Sequence, residues 1–520
     1  MDSLVILIPL LPFGAAVILG LGILFDGLNG EQKEGLTAGI SLWAVTMSAL
    51  LALTLYGADL FGQNRGSFNL GTWLQSDTFK VSVNFITQGI GLRLSALFGI
   101  LLAIVVRFSI NYMHREAGFH RFFFVLVLFS AAMQWLVLAG NAVGTFAGWE
   151  IAGLCSYLLI AYAYDRPVAA VNAARVFVTN RIGDAAFIIG IGLSYAYAES
   201  IDWMKLNTLA VQLSPGEATG IAFCFAVAAF VKSAQLPFTP WLLRALEGPT
   251  PSSAVFYGSV MVHAGVFLVC LLQPVFEISS FAMGALAVVG LATAVYAYLL
   301  GLTQTDVKTS LIAATSVQTG LMFFECGLGL WQLASWHLCA HVIVRGYQLL
   351  VAPSLMHNVL GNPIKPVNPI LSKNYWLYTI SLQRFWLDFL TDCLFVRPIG
   401  RLSHDLRYFD DYIIDRILGS PAPAMRAISS LAQYEEQKIG ARLDTASDLF
   451  AQGSGLAGKL AEWTSAVIHA FENRFMLRGS GKNAANLGRR IGQSANRFEA
   501  YIVRPRYLVL FIFITLLVAF

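Results

Sequence analysis

The sequence predicts an all-α polytopic membrane protein with about twelve transmembrane helices, one of them discontinuous, followed by an amphipathic C-terminal arm. Three observations predict this class. Of 520 residues, 57% are hydrophobic and only 12% charged, against about 25% charged in soluble globular domains. Apolar runs long enough to cross a hydrocarbon core of about 30 Å recur along the chain. Near Pro353 the pattern changes, and charged residues then recur among the apolar ones.

The runs fall at 4–25, 36–56, 94–110, 122–138, 142–162, 176–197, 220–243, 253–275, 280–300, 310–328 and 333–355, with a last candidate at 507–520. The first lacks a basic n-region and an A-x-A cleavage site, so it reads as a retained helix. From Asn374 to about Arg504 the pattern is amphipathic, opened by "FWLDFLTDCLFVRPIGRL" and "YFDDYIIDRILG". Asp388, Asp392, Asp410, Asp411 and Asp415 oppose a bilayer crossing there. The stretch reads as a helix along the cytoplasmic membrane surface ending in one short anchor, or as a soluble cytoplasmic tail.

Lysines and arginines in the loops set the orientation. Loops after odd helices hold Lys33, Arg115, Arg121, Arg166, Arg244, Lys365 and Lys373, whereas loops after even helices hold mainly Arg65, Lys80 and Lys205. The N-terminus is therefore expected to face away from the cytoplasm. A net charge of +4 is too small to suggest a nucleic-acid partner. Six cysteines without C-x-x-C spacing, five of them inside apolar helices, are expected to pack rather than to pair or bind haem or iron–sulfur. No nucleotide loop or nucleophile with a base is visible, so catalysis by the chain alone is not expected; "GLGILFDGLNG" is a weak glycine pattern with no strand before it.

A charge at a helix centre costs about 2.5–3.5 kcal/mol on insertion scales and normally faces a partner or a water-filled path. This chain carries Glu150 in "FAGWEIAGLCSYLL", Arg181 and Asp184 in "VTNRIGDAAF", Lys232 in "FVKSAQLPF" and His263 in "VMVHAGVF", with His337, His341 and Arg345 in "WHLCAHVIVRGY". Each has a structural alternative. Glu150 and Lys232 would be a helix-joining ion pair, Arg181 and Asp184 at i,i+3 would neutralise each other, and His337 with His341 at i,i+4 has metal-like spacing but no third ligand. Their spread over several consecutive helices favours a proton or ion relay, with no metal and no cofactor. Pro237 and Pro240 should break the helix just after Lys232. A broken helix in a membrane lines a cavity, the setting in which a lysine amine, tuned by Glu150, gains and loses a proton.

"GWEIAGLCSYLLIAY", "VTNRIGDAAFIIG", "VKSAQLPFTPWLLRALEGPTPSSA" and "TQTDVKTSLIAATSVQTGLMF" resemble the antiporter-like membrane subunits of respiratory complex I, of the NuoL or NADH dehydrogenase subunit 5 type, related to Mrp cation/proton antiporters. The resemblance spans about 111–350, and "LDFLTDCLFVRPI" is similar to the start of that family's lateral helix. It implies that Glu150 is the family's essential glutamate, Lys232 the lysine of its first broken helix, Asp184 its helix aspartate, Lys308 the lysine of its T-D-I-K segment, and His337 and His341 the histidines of its central relay. It also implies proton or sodium translocation driven by a partner, without a cofactor of the chain's own.

Three departures stand out. Tyr257 replaces the histidine usual after "GPTP", with His263 further on; Arg345 replaces the relay lysine; and after Leu355 the second broken helix of the family is expected to be missing, with "ILSKNYW" around Lys373 a faint echo. Arginine practically never releases its proton, so a fixed charge at 345 would block transfer or gate it. The expected organisation is 1–110 N-terminal helices, 111–355 translocation core, 356–505 surface arm and 506–520 anchor. The expected setting is the inner, cytoplasmic membrane, beside other membrane subunits and a peripheral redox or zinc-containing subunit. Two alternatives remain: a subunit of the Dab type, coupling a proton gradient to inorganic-carbon uptake, and a non-conducting structural clamp.

Overall fold

A computed structural model describes residues 2–25, 27–63, 66–76, 79–304, 306–352 and 373–409. The chain divides into two compact units, Met1–Pro398 and Ile399–Phe520. Of the second, the described residues continue a helix as far as Phe409. The expected surface arm beyond that point, the 507–520 anchor, and the stretch 353–372, where the family's second broken helix is expected to be missing, lie outside the described residues.

Among the described residues nine helices are long and apolar enough to cross a membrane. Helices α1 (Leu7–Leu24) and α2 (Glu34–Leu60) precede a hairpin of β1 (Ser67–Ser76) and β2 (Phe79–Ile86). Then come α3 (Gly89–Tyr112), α4 (Phe119–Leu138), α5 (Ala142–Ile160), α6 (Pro167–Ala198), the short α7 (Trp203–Leu209) and α8 (Pro215–Lys232). Helix α4 is the centre of the unit: 89% of its apolar window is buried, and it packs on α1, α3 and α5. It is apolar on nearly every face, as a helix with neighbours on every side must be, and its buried Gln134 is satisfied by Ser95 of α3. Helix α1 lies against α2 and α4, an integral part of the bundle.

The antiparallel hairpin was not foreseen. Ser67 pairs with Ile86 and Ser76 with Phe79, with register shifts at Asn69/Gly71 and Thr72/Leu74. Its role is positional. Asn141, the N-cap of α5, accepts from Gly144 N and donates to Ser82 O at 2.6 Å, and Asn84 donates to Asp202 Oδ2 at 2.5 Å. The hairpin thus fixes the start of the helix that carries Glu150.

The prolines act as expected. Helix α8 opens with a capping box, Ser214 with Glu217, and ends at Lys232; the chain resumes as α9 (Pro240–Arg244). The next crossing is irregular as well: α10 (Thr250–Ser253), a π turn at Ala254–Ser259, a 3₁₀ turn at Met261–His263, then α11 (Ala264–Leu271) and α12 (Gln273–Ile278). His263 therefore sits where the backbone departs from α geometry, a frequent setting for functional side chains.

Helix α13 (Ser280–Gly301) packs closely on α14 (Val307–Gly327), and α15 (Trp331–Val351) follows. At Gly290 an added Cβ would strike Gly320 O and Phe324 N, so the two backbones touch directly. Helices α14 and α15 have crossing length but are less apolar than the nine, because they carry the polar residues described below. Finally α16 (Tyr375–Leu382), α17 (Leu387–Thr391) and α18 (Arg397–Phe409) open the charged segment. Asp388 pairs with Arg244 of α9 at 3.4 Å, and Asp392 with Arg175 of α6 at 3.0 Å.

Candidate functional site

Lys232 is 2% exposed, at the last turn of α8. Its Nζ donates to the main-chain carbonyl of Trp149 at 2.9 Å and lies 4.9 Å from the centre of that indole. Gly153, one turn further along α5, leaves room for the amine: an added Cβ would stand 3.3 Å from Nζ. Trp149 also reaches α6, donating Nε1–H to Asp184 Oδ1 at 3.0 Å.

Glu150 does not pair with Lys232. Its Oε2 accepts from Arg181 Nη1 at 2.5 Å, while Arg181 Nη2 stands 2.9 Å from Asp184 Oδ2. The expected local Arg181–Asp184 contact thus exists, but the arginine also reaches across to α5, which spacing along α6 cannot reveal. The result is a quartet of two acids and two bases in which the Trp149 indole touches Lys232 and Asp184. With all four ionised it is neutral, and a proton handed from Lys232 to a carboxylate leaves it neutral. An ion leaving the group alone would instead create a net charge in a low-dielectric setting, which is costly.

Beyond the break, polar links run toward α11 and α14. Ser233 Oγ donates to Val262 O at 2.6 Å, and Gln235 Nε2 to Thr319 Oγ1 at 3.2 Å. His263, fully buried, then meets His341: Nε2 and Nδ1 are 2.9 Å apart. Arg345 Nε donates to His341 Nε2 at 3.4 Å and Nη1 to Gln348 at 2.9 Å. Because arginine only donates, His341 Nε2 must accept, its Nδ1 carries the proton, and His263 Nε2 accepts in turn. His263 Nδ1 has no partner.

The two histidines of α15 take different hydrogen-bond partners. His337 and His341 rings are 6.4 Å apart and nearly perpendicular. His337 Nδ1 faces Glu325 Oε1 at 2.9 Å and its Nε2 faces Gln318 Oε1 at 2.8 Å, both on α14. Lys308 stands apart from both groups: Nζ donates to Thr250 Oγ1 at 2.6 Å, and Tyr112 OH lies 2.9 Å from the same oxygen. Tyr257, at the position of the family's histidine, is buried and donates to Ala245 O at 2.7 Å.

Sequence reasoning missed Trp149 and Gln318. The tryptophan was readable from "GWE", since a buried indole N–H needs an acceptor; Gln318 was readable as the one amide in an otherwise small and apolar stretch of α14.

The family described as NADH:quinone oxidoreductase/Mrp antiporter, transmembrane, matches residues 139–366, and the N-terminal family of NADH-ubiquinone oxidoreductase (complex I) chain 5 matches 73–123, together more than half of the chain. The chain belongs to this antiporter-like family of membrane subunits, of the complex I subunit 5 type. Among antiporter-like relatives, NAD(P)H-quinone oxidoreductase subunit 5, chloroplastic, of Ceratophyllum demersum is 32% identical over 374 residues, 71% of this chain and 50% of its own length. NAD(P)H-quinone oxidoreductase chain 5 of Picosynechococcus sp. is 33% identical over 359 residues, 68% of this chain and 54% of its own. The chain spans about half the length of the curated relatives it matches. The antiporter-like fold is also that of a chain in the Mrp complex from Dietzia sp. (TM-score 0.57, 24% identity, 66% of this chain and 37% of that one). A chain of the archaeal membrane-bound sulfane sulfur reductase gives TM-score 0.58 at 18% identity, covering 74% and 80%.

Proposed function

We propose that this chain is a proton- or cation-translocating membrane subunit of a multisubunit energy-coupling complex, with residues 111–355 as its translocation core. One observation carries the reading: Lys232 lies buried at the end of a broken helix, inside a neutral quartet with Glu150, Asp184 and Arg181. Such a quartet can pass a proton internally without acquiring net charge, and the break supplies a polar backbone in the membrane. Asp184 and Glu150 hold the proton alternately with Lys232. From there the route leads past Ser233 and Gln235 to His263 and His341, with His337 and Glu325 alongside and Lys308 at the start of α14. Arg345 takes no proton and sets the orientation of the histidines.

The curated relatives carry the names of subunits of NAD(P)H-quinone oxidoreductases, and the structural neighbours come from membrane complexes. These support other membrane subunits as partners; a peripheral subunit supplying the driving reaction, and an energised cytoplasmic membrane as the setting, are part of the proposal. The test is purification in mild detergent, identification of the subunits that come with the chain, and flux in proteoliposomes with Lys232→Ala. Redox subunits and flux lost in the variant support the reading. A zinc-protein partner would move it to inorganic-carbon uptake, and full flux without Lys232 would refute the relay.

A further inference from the structure

Among the described residues the chain makes one sulfur–sulfur contact: Cys270 Sγ on α11 lies 3.7 Å from Cys326 Sγ on α14. All six cysteines are free thiols. The two sulfurs come from helices far apart in sequence, one residue from the end of each. Both helices finish on the same side, where the connections 272–279 and 328–330 contain no lysine or arginine and the neighbouring connection 199–214 holds only Lys205. The opposite side carries Arg244 and Lys308. That asymmetry marks the Cys270 side as the face away from the cytoplasm, where disulfides form and persist.

We propose that Cys270 and Cys326 form a redox-active dithiol that closes to an inter-helix disulfide. A disulfide needs the sulfurs at about 2 Å, so side-chain rotation has less than 2 Å to cover from 3.7 Å. The backbone of α14 offers little movement here: an added Cβ at Gly327 would strike the Ala287 backbone of α13. Access is asymmetric, with Cys270 half-buried and Cys326 buried. Cys270 is therefore the attacking thiol. It displaces one thiol from a small disulfide and becomes a mixed disulfide. Cys326 then loses its proton and attacks the Cys270 sulfur, expelling the second thiol. Two protein thiols are oxidised, one small disulfide is reduced to two thiols, and both protons leave with those products. The bond would tie the helix that starts beside His263 to the helix carrying Glu325, the neighbour of Cys326 and partner of His337.

The experiment treats native membranes holding the full chain with dipyridyl disulfide, denatures in SDS, alkylates remaining thiols, and maps peptides by mass spectrometry without reduction. The expected result is a cross-linked pair containing Cys270 and Cys326 that dithiothreitol reverses, absent in Cys270→Ala and in Cys326→Ala, and retained in Cys339→Ala. Recovery of both cysteines singly, as alkylated or pyridylthio forms, overturns the proposal. So does a cross-link from Cys270 to Cys339.

Discussion

Glu150 is held by Arg181, Nη1 to Oε2 at 2.5 Å, and the buried Lys232 answers instead to the Trp149 carbonyl at 2.9 Å. The amine is thus left outside the tightest ion pair of the group, the position the proposed relay requires of it, while the arginine keeps the carboxylates in place.

Lys232→Ala and Lys232→Arg should both abolish flux, by at least about tenfold, although arginine keeps the positive charge. Arginine does not release a proton at any accessible pH. Proteoliposome flux at matched protein load checks this. Flux retained with arginine would mean that charge alone suffices.

Arg181→Ala strands two acids beside one base. Breaking a buried pair costs about 3–5 kcal/mol, and partial exposure of Arg181, 36%, lowers that to about 1–2 kcal/mol. Thermal unfolding in detergent should fall accordingly. The double variant Arg181→Ala with Glu150→Ala should recover part of the loss, because the two positions are in contact.

Trp149→Phe retains the main-chain carbonyl that binds Lys232 and removes only the Nε1–H given to Asp184. A hydrogen bond to a charged group contributes about 1.5–3 kcal/mol. Flux should fall while Lys232 stays buried. An unchanged pH profile would remove Asp184 from the relay.

Gly148→Ala places a methyl against Ala132 O at 2.7 Å and Leu136 N at 2.8 Å on α4. Overpacking of this kind costs about 1–3 kcal/mol. Because the neighbours are backbone, α5 must move and carry Glu150 with it. A lower unfolding temperature and reduced flux are expected together; flux unchanged at a lowered temperature would separate packing from the site.

Much of this was legible in the chain. Runs of apolar residues gave the helices, and Pro237 with Pro240 gave the break that ends α8 at Lys232. Half-buried Glu150 and buried Asp184, His263 and His341 were visible as charges and imidazoles within oil. What linear spacing cannot supply is the rotation of one helix against another. Arg181 sits three residues from Asp184 on α6, and only the packing of α5 on α6 brings it to Glu150. Nor could the i,i+4 spacing of His337 and His341 show that one turns to α14 and the other to His263. The hairpin was overlooked because its alternation, clear in "KVSVNFI", is disrupted in β1 by register shifts around Gly71.

The arginine at position 345 gives the histidine pair the topology of a cul-de-sac. Its guanidinium closes one terminus, and the unpartnered Nδ1 of His263 is the open mouth at the other. In the proposed relay, traffic reaching His341 either returns by the door through which it came or waits for Arg345 to swing aside toward Gln348, its second neighbour. Under the proposed relay, directionality in this half of the chain falls to a side chain that never handles the passenger.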